Sequence, residues 1–299
     1  MQLLAPVRAP FALAQALTFM RRFAPCRDGL LIDDDAVTAA LAIGGRAVPF
    51  TLRAVGAGLA IEVDDALSPA AAALVVARAR HLVSADDDLT SFYAAAAGDH
   101  PRYRALVAAL HGLHHVRFLT LAEIAVYAVL MQRTPIVQAA RARQRFAAHF
   151  GYPVVVRGVT LHAFPELDEL VALEEDDYRQ VIRQPGKAAV LPGVVRGVAA
   201  LGEGFLRAAP YAEAQAALIA IRGVGPFTAA AILLRGLGRM DDVPLEGKQF
   251  ALPARAVYGR AFDPAAIRRR YGADLGHWAY YLKTGAPRLE TLLAATPSA

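Results

Sequence analysis

Cysteine is almost absent: Cys26 is the only one among 299 residues. A disulfide framework needs paired cysteines and an iron–sulfur cluster usually needs four, so we expect neither. A single cysteine also favours a reducing compartment, and we expect the cytoplasm. The sequence lacks an apolar run of about 18 residues, which a membrane span would need. Its first residues lack the basic start and long apolar segment of a secretory signal.

Charged residues are also scarce, at 20%, against 56% hydrophobic residues. This composition indicates a globular protein with a substantial core, although alanine inflates the mean hydropathy of +0.34. Lysine and arginine number 32 against 27 acidic residues, which gives a net charge of +5. This mild basic excess is compatible with a nucleic-acid partner but does not by itself indicate one.

Two patterns divide the chain into an N-terminal α+β domain, residues 1–88, and a helical domain, residues 89–299. The first has an amphipathic helix and then short strand-like runs punctuated by Asp and Gly, which predicts an antiparallel sheet. From residue 89 the apolar spacing is helical almost throughout, with 154–156 as a short extended piece. The predicted fold class is therefore mostly α, with a small α+β domain before an all-α one. The predicted strands are Gly29–Ile32, Ala36–Ile43, Ala47–Val55 and Leu59–Val63.

A glycine turn, Gly223-Val224-Gly225, joins two apolar helical runs between about residues 211 and 235. Two glycines around a β-branched residue predict a tight hairpin that a side chain at either glycine would obstruct. Pro226 suits the first turn of the second helix. The N–H groups of the turn and the helix start would bind a phosphate oxygen, a contact that grips nucleic acid without reading bases. The plainer interpretation is an ordinary helical hairpin.

The next segment favours the nucleic-acid interpretation. After the second helix, Val243-Pro244-Leu245-Glu246 opens a further predicted helix. A hairpin, a helix and then Val-Pro-x-acid resembles the helix-hairpin-helix superfamily of base-excision DNA glycosylases. The order of the two domains resembles its 3-methyladenine DNA glycosylase II group. The resemblance implies a helix-hairpin-helix glycosylase core and a monofunctional enzyme that hydrolyses the N-glycosidic bond of damaged, mainly alkylated, bases in duplex DNA.

Glu246 is the catalytic candidate that this resemblance implies. A carboxylate near C1′ stabilises the positive charge that develops on the deoxyribose when the base leaves. The family has Asp at this position, and misplacing a catalytic group by about 1 Å can cost about a hundredfold in rate. An ungapped alignment from Asp242 would instead place Lys248 there, and Asp241 and Asp242 are nearby alternatives. The plainer interpretation of Glu246 is an acid that complements its helix dipole.

The resemblance also assigns roles outside catalysis. Phe227 stands where bifunctional members carry a lysine nucleophile, which implies no lyase activity. Gln132 and Arg133 correspond to the loop that fills the gap left by a flipped nucleotide, so Arg133 would occupy that gap. Ala231 replaces a tyrosine of the alkylpurine enzymes and implies a wider pocket. The DNA-binding candidates are Gln132, Arg133, Lys187, Gly223, Val224, Gly225, Phe227, Thr228 and Lys248, and the base-pocket candidates are Phe19, Phe227, Ala231 and Trp278.

Cofactors and partners complete the expectations. No redox cofactor is implied, and the cluster of His111, His114 and His115 lacks the acid or cysteine that would complete a metal site. The family allows a monovalent cation at the backbone carbonyls of the hairpin. We expect duplex DNA as the partner, a monomer, and a location at the nucleoid. A second hypothesis, motivated by Glu246 and Ala231, is a catalytically impaired protein of this fold that recognises damaged or distorted DNA.

Overall fold

The structure is a computed structural model that describes residues 1–63, 66–245 and 247–291, with the backbone alone of Lys248. It is mostly helical, with a small antiparallel sheet in the N-terminal part, as predicted. The strands are β1 Gln2–Pro6, β2 Leu31–Ile32, β3 Ala36–Ile43, β4 Arg46–Val55, β5 Gly58–Glu62, β6 Tyr152–Val156 and β7 Val159–Ala163.

The helices fill most of the rest of the chain. They are α1 Leu13–Arg22, α2 Ala24–Arg27, α3 Pro69–Leu82, α4 Thr90–Ala97, α5 Pro101–Ala109, α6 Leu121–Leu130, α7 Ile136–Phe150, α8 Leu167–Val171, α9 Glu175–Val181, α10 Pro185–Leu201, α11 Glu203–Ala208, α12 Tyr211–Ile219, α13 Pro226–Ala231, α14 Lys248–Tyr258, α15 Pro264–Tyr271 and α16 Leu275–Gly285. A single π-helical turn, Ile232–Gly236, continues α13. Among the described residues, no helix is long and apolar enough to cross a bilayer.

The N-terminal sheet is antiparallel with the strand order β1-β5-β4-β3-β2. Its edge strand β1 was not among the predicted strands, and it pairs with β5 from Gln2 opposite Glu62 to Pro6 opposite Gly58. The adjacent leucines of β1 break the alternation of apolar and polar residues, and Leu4 is 72% exposed. A proline at the end of an edge strand costs the sheet little, because edge N–H groups face solvent.

The helical part contains a β-hairpin and is therefore not wholly α, which corrects the sequence prediction. Strands β6 and β7 pair through a two-residue turn at Arg157 and Gly158, both with positive φ (50° and 78°). Two positive φ angles are typical of the hairpin turns that match strand twist. Leu161 and Ala163 of β7 pack with alanines of β3 in one small apolar cluster. The hairpin thus joins the C-terminal part of the chain to the N-terminal sheet.

Helix α6 is the centre of the helical core, since every one of its residues is buried. Thr120 caps it, with Oγ1 accepting a hydrogen bond from the Glu123 N–H at 3.1 Å. The Glu123 carboxylate in turn accepts a bond from Arg143 Nε on α7 at 2.7 Å. Because both ends of this pair are buried, α6 and α7 are fixed relative to each other. The loop between them therefore starts from rigid supports.

Candidate active site

The glycine turn between α12 and α13 has the predicted shape at one glycine only. Gly223 has φ of 95°, and a Cβ added there would lie 2.8 Å from the Val190 Cβ. Gly225 has φ of −97° in extended backbone, and a Cβ there would meet no atom within 4 Å. The expectation that a side chain at either glycine would obstruct the turn is therefore wrong for Gly225. Val224 between them is buried.

Gln132 ties the turn to the loop between α6 and α7. Its Nε2 donates to the Gly223 carbonyl at 2.8 Å and to Thr228 Oγ1 at 3.0 Å. Thr228 is 2% exposed, so its side chain is not free to bind a phosphate. The side chains of Gln132 and Thr228, both predicted to contact DNA, instead hold the turn in place. One amide spanning two acceptors fixes the loop and the turn as one unit.

Lys187, at the start of α10, braces the same loop. Its ammonium donates to the Leu130 carbonyl at 2.6 Å and to the Thr134 hydroxyl. Burial lowers the pKa of Lys187. These contacts correct the prediction that Lys187 is a phosphate contact, because its charge is used to satisfy the C-terminal end of α6. Between the two bonded positions Arg133 is exposed and has a positive φ of 49°, which is uncommon for a residue with a side chain.

A cavity of about 350 Å³ opens beside the turn. Phe227 and Ala231 line it, as predicted for the base pocket, and Phe227 keeps 44% of its surface exposed. Met131 and Thr134, on either side of Arg133 in sequence, also line it. Aromatic rings supply most of the remaining wall, as suits a flat heterocycle. These rings are Phe23, Phe118, Tyr127, Phe250 and Tyr280.

Parts of two known proteins are similar to this chain in sequence. The chain is 33% identical over 194 residues, 60% of its length, to the probable bifunctional transcriptional activator/DNA repair enzyme AlkA of Mycobacterium tuberculosis, of which it covers 37%. It is 29% identical over 163 residues to the DNA-3-methyladenine glycosylase of Bacillus subtilis, covering 54% of each chain. The chain therefore spans between about a third and about half the length of the curated relatives it matches. No protein-family model matches it.

Solved structures show the same fold over nearly the whole chain. The 3-methyladenine DNA-glycosylase from Archaeoglobus fulgidus superposes with a TM-score of 0.76 at 17% identity, covering 96% of this chain and 98% of that one. The structure of MBOgg1 in complex with a low-affinity DNA ligand gives 0.72 at 19% identity, covering 97% and 96%. The chain therefore shares the fold of the 3-methyladenine DNA-glycosylase, and its sequence is similar to those of a DNA repair enzyme and a DNA glycosylase.

Two base-pocket candidates do not line the cavity. Trp278 is fully buried and its Nε1 donates to the Tyr258 hydroxyl at 2.8 Å, inside a separate aromatic cluster. Tyr280, two residues further along α16, lines the cavity in its place, because two residues rotate a helix by about 200°. Phe19 lies behind the wall, with its ring centroid 5.0 Å from that of Tyr280.

Glu246, the catalytic candidate, lies outside the described residues, as does the side chain of Lys248. The sequence neighbours Pro244 and Gln249, on either side of position 246, line the cavity. The alternative acids, Asp241 and Asp242, are each paired with an arginine. Asp241 accepts a hydrogen bond from Arg239 Nε at 3.0 Å, and Asp242 is paired with Arg268. Neither aspartate lines the cavity, which leaves Glu246 as the stronger candidate.

Two basic residues in the cavity wall were not predicted. Arg235, on the π-helical turn, has its guanidinium carbon 4.5 Å from the ring centroid of Phe23. Lys283 of α16 also lines the cavity, and burial together with repulsion from Arg235 lowers its pKa to about 8. The wall also holds His115, whose pKa is lowered strongly by burial and by Arg235, so its imidazole is neutral. Sequence spacing carried no signal for Arg235, whereas His115 belonged to a histidine cluster that the sequence displayed.

His114, from the same histidine cluster, has a structural role. His114 bridges the N-terminal and helical parts, with Nδ1 2.7 Å from the Ser84 carbonyl and Nε2 2.9 Å from the Pro10 carbonyl. In residues 1–63, 66–245 and 247–291, no group of three or more His, Cys, Asp or Glu side chains is placed to hold a metal ion.

Proposed function

We propose that the protein is a monofunctional DNA glycosylase that removes damaged bases, alkylated bases among them, from duplex DNA by hydrolysis. One observation carries the proposal. Phe227 at the start of α13 and Pro244 before α14 line a single cavity, so the hairpin and the segment that contains Glu246 meet at one place. The names of the two sequence relatives support the activity. The match with glycosylase structures along almost the full chain supports the fold that this activity needs.

The charges around the hairpin support the DNA partner. Arg133, Arg183 and Arg222 are exposed, and none makes an ion pair within the part of the chain that the structure describes. Arg222 belongs to the hairpin, Arg133 to the loop bonded to it, and Arg183 precedes α10, which carries Lys187. Unpaired arginines on one surface bind phosphates and make the affinity depend on salt. The free N–H groups at the start of α13 add an uncharged phosphate contact.

In the proposed mechanism the hairpin and these arginines hold the backbone while the damaged nucleotide leaves the stack. Arg133 fills the gap, and the base enters the cavity between the aromatic walls. The bond between C1′ and the base nitrogen breaks with its electron pair on the base. Glu246 stabilises the resulting oxocarbenium ion and orients water, whose oxygen bonds to C1′ and whose proton is released. The products are the free base and abasic DNA.

Replacement of Glu246 by glutamine tests the proposal. The amide keeps the shape and loses the charge, so base release from lesion-bearing duplexes should fall by at least about a hundredfold while lesion binding stays within about twofold. Base release is scored as abasic sites, and binding by titration at fixed salt. Asp242→Asn is the matched control, since that acid is paired with Arg268 and should leave base release unchanged.

The outcomes separate the two hypotheses. Base release that survives Glu246→Gln contradicts the assigned catalytic residue. A wild-type protein that binds lesion duplexes tightly yet releases no base would make the protein a damage-recognition factor of this fold.

We further propose that the protein prefers duplex over single-stranded DNA, acts as a monomer and is located at the nucleoid. The two-sided grip of hairpin and loop suits a duplex from which one nucleotide is displaced. A monovalent cation at the hairpin carbonyls is part of this proposal. The Gly223 carbonyl would have to share its lone pairs with the Gln132 amide, so the remaining carbonyls of the turn would carry most of the coordination.

A further inference from the structure

The cavity wall carries polar atoms that have no hydrogen-bond partner among the residues that the structure describes. They are Arg235 Nη1, both ring nitrogens of His115 and the Tyr127 hydroxyl, all of them buried. Buried polar groups are nearly always bonded, because each unsatisfied one costs free energy. Three such residues in one cavity therefore point to a ligand that supplies the missing partners. Nothing in the phosphate grip or in the catalytic role of Glu246 uses them.

Arg235 is the most unusual of the three. Its guanidinium is stacked among the rings of Phe23, Phe19 and Tyr280, at 4.5, 5.5 and 5.9 Å from their centroids. Within the described ranges it has no ion-pair partner, and its buried Nη1 has no acceptor. The neighbouring buried arginines differ, since Arg143 pairs with Glu123 and Arg117 pairs with Asp87.

The backbone conformation at Arg235 is also unusual. This residue lies on the π-helical turn Ile232–Gly236, one residue beyond Leu234, which also lines the cavity. A π-turn inserts an extra residue into a helix and is frequently found at functional sites. Aromatic stacking holds the guanidinium plane and leaves its edge free to donate.

The electrostatics of the cavity decide which ligand fits. Arg235 donates and cannot accept, and it is always charged. Lys283, with its pKa lowered to about 8, adds positive charge at neutral pH, while neutral His115 adds none. No acidic residue is found among the lining residues that the structure describes. Arg235 and Lys283 would repel a cationic base on their side of the cavity and would attract a base with a carbonyl oxygen or an unprotonated ring nitrogen, whereas Glu246 acts at C1′ of the sugar in the proposed mechanism.

We propose that Arg235 reads the flipped base, donating to its acceptor atoms and selecting neutral lesions that carry a carbonyl over lesions with a formal positive charge. This inference rests on the proposed glycosylase function and narrows its substrates. It also explains why a base pocket in this chain has donors on its wall as well as aromatic rings. Neutral His115 and Tyr127 then complete the recognition, because each can donate or accept.

The binding affinities of two matched pairs of duplexes test the proposed role of Arg235. Hypoxanthine and unsubstituted purine differ by one carbonyl, and 7-methyl-7-deazaguanine and 2′-fluoro-stabilised 7-methylguanine differ chiefly by the positive charge. The wild type should bind the carbonyl-bearing base about tenfold more tightly than purine, and the neutral 7-methyl base more tightly than the cationic one. Arg235→Met should bring both ratios close to one. Arg179→Met, which removes a surface arginine paired with Glu175 outside the cavity, should change neither.

A stability measurement separates this role from a structural one. Arg235→Met removes an unpaired buried charge and keeps the apolar stem, so the melting temperature should not fall. Arg235→Lys keeps the charge and loses the planar guanidinium group. This variant should therefore lose the preference for the carbonyl-bearing base and keep the preference for the neutral 7-methyl base. It also tests the inference if the methionine variant misfolds. Ratios equal in wild type and variants, or a parallel loss for every duplex with a lower melting temperature, would overturn the inference. Base release by the wild type is scored separately, so a protein that discriminates in binding but releases no base overturns the proposed function alone.

Discussion

Phe227 bears on the chemistry at the scale of one residue. A lyase step needs an amine that forms a Schiff base with C1′ of the sugar, and the position after Gly-Val-Gly-Pro is aromatic here. We therefore expect that borohydride traps no covalent protein–DNA adduct and that strands stay intact after base release. The measurement is gel analysis of reactions with and without borohydride.

If an adduct is trapped, lysine variants would identify the nucleophile. An adduct that disappears in Lys248→Ala would make Lys248 the nucleophile and the protein bifunctional. The same adduct persisting in Lys248→Ala and lost in Lys283→Ala would point to the cavity lysine, whose lowered pKa of about 8 makes its amine a better nucleophile than an ordinary lysine.

Single residues also show how far the sequence predicts this site. The resemblance to the glycosylase family implies that Phe227 and Ala231 lie in the base pocket, and both line the cavity. The resemblance also implies Trp278 as a pocket residue, but the phase of α16 buries Trp278 and directs Tyr280 to the cavity. Arg235 could not be found, because an unpaired charge is visible only when the neighbours from α1, α2 and α16 are in place.

At the scale of elements, the two glycines of the turn offer a matched test. Alanine at Gly223 must adopt left-handed backbone, at a cost of about 1–2 kcal/mol, and its Cβ would also press on Val190. Alanine at Gly225 should change stability by less than about 0.5 kcal/mol, as at an ordinary surface position. Thermal unfolding of both variants checks this. Equal destabilisation by the two substitutions would contradict the described geometry of the turn.

The hydrogen bonds that Lys187 makes to the loop between α6 and α7 lead to a second prediction at the scale of elements. If the ammonium bound a phosphate, its removal would reduce the slope of log affinity against log salt by about one. As a brace between Leu130 and Thr134 it should leave that slope unchanged when replaced by methionine, while affinity falls because the Arg133 loop loosens. Arg222→Met is the control that should reduce the slope. A reduced slope for Lys187→Met would restore the phosphate contact that the sequence predicted.

The sequence predicts helices and strands well where the apolar periodicity is strong, and poorly where a strand depends on its pairing partner. The helix from Ser68-Pro69 follows from its cap, and Ser68 Oγ indeed accepts from the Ala71 N–H. Strand β1 is missed because it pairs with β5, far along the chain, and the hairpin of β6 and β7 is only half predicted because each strand has five residues. The turn at Arg157 and Gly158 was the available signal for the hairpin.

At the scale of the whole molecule, contacts between the N-terminal and helical parts decide whether they act separately. The division at residue 88 remains a prediction, and no pattern in the sequence indicates which contacts cross it. Asp87 lies just before that boundary, accepts from Arg117 Nη2 at 2.7 Å, and lies 3.8 Å from His277 Nε2 on α16. This buried network links three distant parts of the chain.

The same network makes the stability of the protein depend on pH. Burial alone would lower the pKa of His277, but its contacts with Asp274 and Asp87 outweigh that effect and raise it above 6.5. The pKa values of Asp87 and Asp274 lie below 3.8: burial works against this, and His277 and, for Asp87, Arg117 outweigh it. A raised histidine pKa stabilises the fold fully below about pH 6.5, and this stabilisation is lost as pH rises through the folded-state pKa. A lowered carboxylate pKa stabilises the fold fully above about pH 3.8, and this stabilisation is lost as pH falls through the folded-state pKa. The ion pairs therefore contribute fully between about pH 4 and 6.5.

His277→Gln should consequently lower the free energy of unfolding by about 1–3 kcal/mol at pH 5.5 and by less at pH 9, where the wild-type histidine has lost its proton. Urea unfolding of both proteins at the two pH values measures this. His149→Gln, which changes an exposed histidine at the end of α7, should show no such difference. A loss that is the same at pH 5.5 and pH 9 would mean that His277 contributes packing alone, and that the charge of the network does not hold the two parts of the molecule together.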